Sequence, residues 1–278
     1  MRRKISTLGF LAIISVGSLL AVAQVNREQK VDVGGYGVFT SQAGSGEPIV
    51  VFEAGLGEDT STWDKVLPKV AQFSRTLAYD RAGLGKSDSS PSPKSVEQMV
   101  KELHSVLNAA HVSPPYILVG HSLGGAVVQL FAHAYPNEVA GLVLVDPEDG
   151  RLLDRLKLRL SKEEWEDREK TLAQMMAGAS PGQKAEIESS KSSGEALAAA
   201  LPIPDVPMVL LTGTMKDPSF PGNPTEQDLK LELHEEFLKA VLRGDHVLVP
   251  NSRHYIQEDS PQLVIDAIQK IVNESRKK

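Results

Sequence analysis

Along this chain, short runs of consecutive apolar residues alternate with longer stretches in which apolar residues recur every three or four positions. Ile49-Val50-Val51-Phe52, Thr76-Leu77-Ala78-Tyr79, Tyr116-Ile117-Leu118-Val119, Leu142-Val143-Leu144-Val145, Met208-Val209-Leu210-Leu211 and His246-Val247-Leu248-Val249 have the length and β-branched content of strands. Apolar residues at successive positions, rather than at every second one, mark strands covered on both faces, as in a parallel sheet flanked by helices. Residues 95–110, 123–135 and 261–272 place apolar residues at helical spacing. The alternation predicts an α/β fold with a mostly parallel, doubly wound sheet. Residues 31–42, with turn glycines at 34, 35 and 37, are expected to add an antiparallel edge.

The pattern breaks after Asp146-Pro147. From about residue 148 to 204 the chain is charged, Ala-rich and helical, with no strand-like run. Ser161 followed by Glu164 reads as a capping box, which opens a helix through Trp165, Leu172 and Met176. Pro181-Gly182 is expected to interrupt the helical stretch, and Pro202, Pro204 and Pro207 return the chain to the sheet. Ligand sites in open α/β sheets lie beyond the carboxyl ends of the strands, where this segment departs, so it is expected to be a helical cap insertion over the site.

The first residues form no part of that alternation. Arg2, Arg3 and Lys4 precede an uncharged apolar run from Ile5 to Leu20, which ends in Ala21-Val22-Ala23. This is the layout of a secretory signal peptide over residues 1–23, with one α/β domain over residues 24–278 and an exported product, periplasmic or secreted. The run is short for a spanning helix, so no stable membrane insertion is expected after cleavage. Without the leader, 27 basic residues face 36 acidic ones, a net charge near −9. That balance argues against nucleic acid or an anionic membrane as partner. There is no cysteine, so export brings no disulfides.

Gly120-His121-Ser122-Leu123-Gly124 lies between a strand pattern and a helix pattern. G-x-S-x-G in that context is a nucleophile elbow: a turn tight enough to need small residues on both sides of a serine whose hydroxyl stands above the sheet. A serine hydroxyl attacks only when a base takes its proton, and the base belongs in a loop after the last strand. His254 occupies that place. His104, His111, His133 and His234 lie in or beside helical patterns, His246 begins a strand, and His121 is expected to point elsewhere on the elbow. No cluster of metal ligands or phosphate-binding loop is evident, since Gly83-Leu84-Gly85-Lys86 lacks the required spacing, so neither metal nor cofactor is expected.

With GHSLGG at 120–125, YDRAGLGKS at 79–87, EAGLG at 53–57 before Trp63, and HYIQEDSP at 254–261, the chain resembles the serine-nucleophile, esterase-like members of the α/β-hydrolase superfamily. The likeness runs from about residue 31 to 272. It implies a Ser-His-acid mechanism on the carbonyl of a small-molecule acyl substrate, a carboxylic ester or a related compound. Many members carry His-Gly in the first βα loop, where this chain has Ala54-Gly55. That loop acts through backbone N–H groups, so Leu56 and Leu123 are the expected oxyanion hole.

Members of the superfamily place the triad acid after either of two strands, and here both offer an aspartate. Asp146 directly ends its strand, and Asp217 lies four residues beyond Gly213. Asp146 is preferred for its direct placement, with Asp217 close behind; Asp80 reads as turn architecture holding Arg81. The competing function is a non-catalytic ligand-binding protein on the same fold.

Overall fold

A computed structural model describes residues 27–277 apart from 93, 191–195, 197–202 and 219–221. The predicted leader, residues 1–23, and part of the predicted cap lie outside the described residues. Eight strands form one sheet: β1 (Arg27–Asp32), β2 (Gly37–Ala43), β3 (Ile49–Glu53), β4 (Thr76–Tyr79), β5 (Tyr116–His121), β6 (Val139–Val145), β7 (Met208–Gly213) and β8 (Gly244–Val249). Their spatial order is β1-β2-β4-β3-β5-β6-β7-β8. All six apolar runs are strands, and from β4 to β8 every pairing is parallel. The predicted antiparallel edge is a hairpin that begins earlier, at Arg27, and the glycines at 34 and 35 take positive φ and turn β1 back on β2. Strand β2 then pairs antiparallel with β4.

Successive side chains on a strand point to opposite faces, so each buried run feeds two cores. Ile49, Val51, Leu118, Leu142 and Leu144 pack on one face with α2 (Val96–Ala109) and α3 (Leu123–Ala134). Val50, Phe52, Ile117, Val119, Val143 and Val145 pack on the other with Trp63 and α9 (Pro261–Ser275). A short α1 (Leu67–Val70) and α8 (Ile256–Asp259) complete this side.

Between β6 and β7 the described chain forms α4 (Leu152–Arg159), α5 (Lys162–Met175) and α6 (Pro181–Ser190). The capping box is present: Ser161 Oγ accepts from Glu164 N, and the Glu164 carboxylate accepts from Ser161 N. Pro181 does not merely interrupt the helical stretch; it opens α6, because a proline at a first helical turn forfeits no hydrogen bond. After β7 comes α7 (Asn223–Lys239), whose Leu229 and Leu233 pack on Leu152 and Leu156 of α4 and on Leu160, which caps it. Arg155–Glu236 and Arg159–Glu232 flank that apolar seam. Among the described residues no helix is long and apolar enough to cross a membrane.

Candidate active site

Four parallel strands, β5 to β8, end on the same edge of the sheet and deliver the candidate residues there. Ser122 follows β5 with φ 52° and ψ −119°, a left-handed conformation that a residue with a Cβ adopts only under constraint. The constraint is visible. Ser122 N–H donates to Val145 O at 3.1 Å, and Ser122 O accepts from Gly125 N at 2.9 Å and Glu148 N at 3.0 Å. The elbow also needs its glycines: a Cβ on Gly120 would lie 2.4 Å from Gly124 O, and one on Gly124 would lie 2.4 Å from Glu53 O. The strained turn therefore sets the serine, only partly buried, at the N-terminus of α3, where Leu123 is the first helical residue.

Asp146 ends β6 with φ 43° and is fully buried. Its Oδ1 accepts from Gly213 N at 3.2 Å, and its Oδ2 lies 2.6 Å from His254 Nδ1. The structure thus joins His254 to Asp146. Asp217 is placed differently: its carboxylate pairs with Arg253 at 3.1 Å and remains 26% exposed. That pair ties the loop after β7 to the loop holding His254, as does Met215 N donating to Ser252 O. Asp259 accepts from Arg253 N at 3.2 Å and secures the same loop from the other side.

Lys230 is a component that the sequence reading did not single out. It lies on α7, buried, with Nζ 2.6 Å from Asp146 Oδ2 and 3.5 Å from His254 Nδ1. One turn on, His234 shares its face of the helix. His234 Nε2 lies 3.0 Å from Pro147 O, and Nδ1 lies 2.7 Å from Thr212 Oγ1. Burial drives the Asp146 carboxyl up, but the Lys230 charge and the His254 hydrogen bond outweigh it and hold the group below the ordinary carboxylate range. His254 is shifted down, by burial first and then by the Lys230 charge, against the pull of Asp146. Burial pushes His234 down to about 4, so it is neutral at pH 7.

His121 does not simply point away from the chemistry. Its ring lies against that of His254, tilted by 44° with centroids 4.6 Å apart; its Nε2 meets His254 O at 3.1 Å, and its Nδ1 meets Glu58 Oε2 at 3.1 Å. Glu58 also accepts from Gly55 N at 2.9 Å. Burial opposes ionisation of Glu58, yet the contact with His121 holds it down at about 2.

The loop after β3 is held from beneath. Arg81 is buried and donates to Glu53 Oε1 and Ala54 O, both at 2.7 Å, and to Gly55 O at 2.5 Å. Its Nε and second Nη donate to the two oxygens of Glu186 on α6, each at 2.8 Å. Glu186 in turn accepts from Gly57 N at 2.8 Å. Burial opposes the Glu186 charge, and Arg81 overcomes it, so Glu186 lies below its ordinary range. Glu53 also accepts from the Tyr79 hydroxyl, and burial raises it to about 7 despite Arg81. The Asp80 carboxylate accepts from the N–H groups of Thr60 and Lys86, each at 2.8 Å, and so shapes the turn that leads into Arg81. Leu56 sits between these tethers. Among the described residues no hydrogen-bond acceptor engages the N–H of Leu56 or Leu123. A fixed loop with a free N–H beside the elbow can stabilise negative charge on an oxygen.

A family model described as the alpha/beta hydrolase family matches residues 50–267. The chain belongs to that family, and its fold is that of a hydrolase. YqjL of Bacillus subtilis, described as an uncharacterized protein, is 32% identical over 225 residues, covering 81% of this chain and 83% of YqjL. RutD of Azorhizobium caulinodans, provisionally named a carbamate hydrolase, is 32% identical over 103 residues, covering 37% of this chain and 38% of RutD. Among solved structures, lip1 of Acinetobacter baumannii, provisionally a lipase, superposes with a TM-score of 0.72 at 19% identity, covering 91% of this chain and 92% of lip1. A thermophilic esterase of Thermogutta terrifontis gives 0.66 at 20% identity, covering 90% and 99%. At these identities the structural likenesses speak to the fold.

Proposed function

We propose that the protein is a serine hydrolase that cleaves a carboxylic ester or related acyl compound through an acyl-enzyme on Ser122. The observation that carries this reading is the placement of a strained, partly buried Ser122 on the edge where His254 is bonded to a buried Asp146. In the forward step Ser122 Oγ bonds to the substrate carbonyl carbon as its proton passes to His254 Nε2. The new oxyanion accepts from the N–H groups of Leu56 and Leu123. Collapse of the adduct breaks the bond to the leaving group, which takes the proton from His254. Water then repeats the sequence and frees the acid. Asp146 fixes the imidazole tautomer and balances the imidazolium charge.

The helices between β6 and β7 serve as a cap: α6 reaches the loop after β3 through Glu186 and through Gln183, whose Nε2 donates to Gly57 O at 3.0 Å. The likeness to RutD adds carbamates to the acyl compounds worth testing. We further infer that residues 1–23 are cleaved on export; N-terminal sequencing that found Met1 intact in a membrane fraction would overturn this.

The decisive experiment is stoichiometric labelling by a fluorophosphonate, with turnover of p-nitrophenyl esters of short to long acyl chain. Labelling is expected in the native protein and absent in Ser122→Ala, whose turnover falls by several orders of magnitude, about as far as His254→Ala. A native protein that binds acyl compounds but neither labels nor turns over would be a ligand-binding protein on this fold.

A further inference from the structure

A buried lysine beside the acid of a serine-histidine site works against the usual purpose of that acid. An aspartate bonded to histidine favours the imidazolium, whereas a cation near the same ring disfavours it. Here both acts fall on one atom pair: Lys230 Nζ and His254 Nδ1 each lie 2.6 Å from Asp146 Oδ2, and they are 3.5 Å from one another. Resting on the serine-hydrolase reading above, we propose that Lys230 is a positioning residue that clamps Asp146 and, by its charge, keeps the His254 imidazole a free base into the acidic range, so that Ser122 remains activated there.

The surroundings of His254 support this assignment. Asp146 reaches it from the end of β6, and Lys230 from α7 neutralises that carboxylate before the ring takes a proton. From the end of β5 comes His121, with Glu58 behind it. Tyr255, its neighbour in the loop, sets its ring 5.4 Å away, and its hydroxyl is pushed up to about 12 by burial and by Glu58. His234 on α7 and His246 on β8 meet through Thr212, with no charge supplied by His234 near neutrality. Arg253 and Asp217 pair on the outer side of the loop. Of these groups, Lys230 is the cation that touches both the acid and the ring nitrogen bonded to it. It is also held from a separate element, since α7 is docked on α4 through the Leu229 and Leu233 seam. The ammonium therefore keeps its position whether or not the ring is protonated.

Two measurements on the native protein and two variants test this. The first is the rate constant of fluorophosphonate labelling between pH 4 and 9 in native protein, Lys230→Met and Lys230→Arg. The second is the NMR titration of His254 in labelled native protein and in Lys230→Met, which needs no substrate. The native labelling midpoint and the NMR midpoint are expected to agree below 6.5, the ordinary histidine value. Lys230→Met should raise the labelling midpoint by about one pH unit or more, and Lys230→Arg, which keeps the charge, should restore it. An unchanged midpoint in Lys230→Met, or a native His254 that titrates above 7, would overturn the proposal. If Lys230→Met does not fold, Lys230→Gln, which keeps a hydrogen-bond donor and removes the charge, takes its place with the same expected rise. A native protein that takes no label at all refutes the serine-hydrolase reading, while the difference in His254 NMR midpoint between native protein and Lys230→Met still judges the effect of Lys230 on the ring.

Discussion

Replacing Asp146 by asparagine separates what this carboxylate does for the fold from what it does for the chemistry. Asparagine keeps the volume and removes the charge. With Oδ1 still accepting from Gly213 N, its amide would face both Lys230 Nζ and His254 Nδ1, where Oδ2 now stands. Two donors then meet a third, and the imidazole is driven to the tautomer that carries its proton on Nε2 and cannot accept the one from Ser122. A loss of about four orders of magnitude in kcat is expected, by analogy with the same change in the serine-protease template. The fold suffers separately, because Lys230 stays buried without its counter-charge. Breaking a buried pair from one side costs about 3–5 kcal/mol. At about 2–4 °C per kcal/mol for a chain of this size, the melting temperature should drop by about 6–20 °C. Asp146→Asn combined with Lys230→Met removes both charges, so most of the lost stability should return while activity does not. Calorimetry and ester turnover on the two single variants and the double variant measure both effects. A double variant no more stable than Asp146→Asn, or an Asp146→Asn enzyme within tenfold of native kcat, would refute the reasoning. Collapse of activity in Asp217→Asn would do so too.

Three further outcomes are expected. Glu186→Gln should loosen the loop that bears Leu56, because it weakens both the Arg81 clamp and the bond to Gly57 N–H. A loss in kcat of about tenfold to a hundredfold, larger than any rise in KM, is the measurement to make, and a change in melting temperature alone would show that α6 does not hold that loop. Glu53 bears on stability against pH: it is raised to about 7 in the fold, so it binds a proton there that the unfolded chain has lost above about 4.5. The stability it contributes is complete below 4.5 and lost as pH rises to 7, by about 3 kcal/mol, and Glu53→Gln should flatten that fall in denaturant titrations. His234 acts in the opposite sense, since its pKa is depressed to about 4, so its contribution is complete above 6.5 and lost as pH falls through 4. A Glu53→Gln protein that did not become more stable as pH rose from 4 to 6.5 would contradict that assignment.

How much of this was legible in the sequence depended on whether the signal was local. Strands β3 to β8 announced themselves as apolar runs because both faces of each are covered, and the elbow because its glycines are forced by backbone atoms of neighbouring turns. His254 was singled out by its place after the last strand run, and the fold sets it against Asp146. The edge hairpin was only half visible: residues 27–30, in β1, are polar and mostly exposed, so periodicity offered no strand. What composition and spacing could not reveal were pairings made across the fold. Lys230 and Asp146 are 84 positions apart, Arg81 and Glu186 are 105, and Gly57 and Glu186 are 129. Arg81 lay inside a recognisable motif, but its partner sat in a helix whose sequence looks like any charged surface helix. Lys230 and His234 at i and i+4 were the available hint, since both faced inward on a helix that was otherwise read as charged.

The place of Asp146 at the end of β6 also explains why a lysine is buried beside it. Neighbouring strands in a sheet lie about 4.8 Å apart, so an acid at the end of β6 stands next to the serine strand and two strands from β8, which leads to the histidine. In that central place it is sealed from solvent, and a sealed carboxylate needs donors enough to replace its hydration. Gly213 N–H and His254 supply two contacts, and Lys230 adds the third together with a compensating charge. Asp217, after β7, keeps access to water and pairs with the half-exposed Arg253, so no buried cation is called for there. The lysine thus follows from burial of the acid, and its proximity to His254 follows from the lysine having to reach the same oxygen. A residue required by the electrostatics of folding is in this way placed beside His254, the proposed base, which is why its removal should be read in the pH dependence of labelling as well as in the melting temperature.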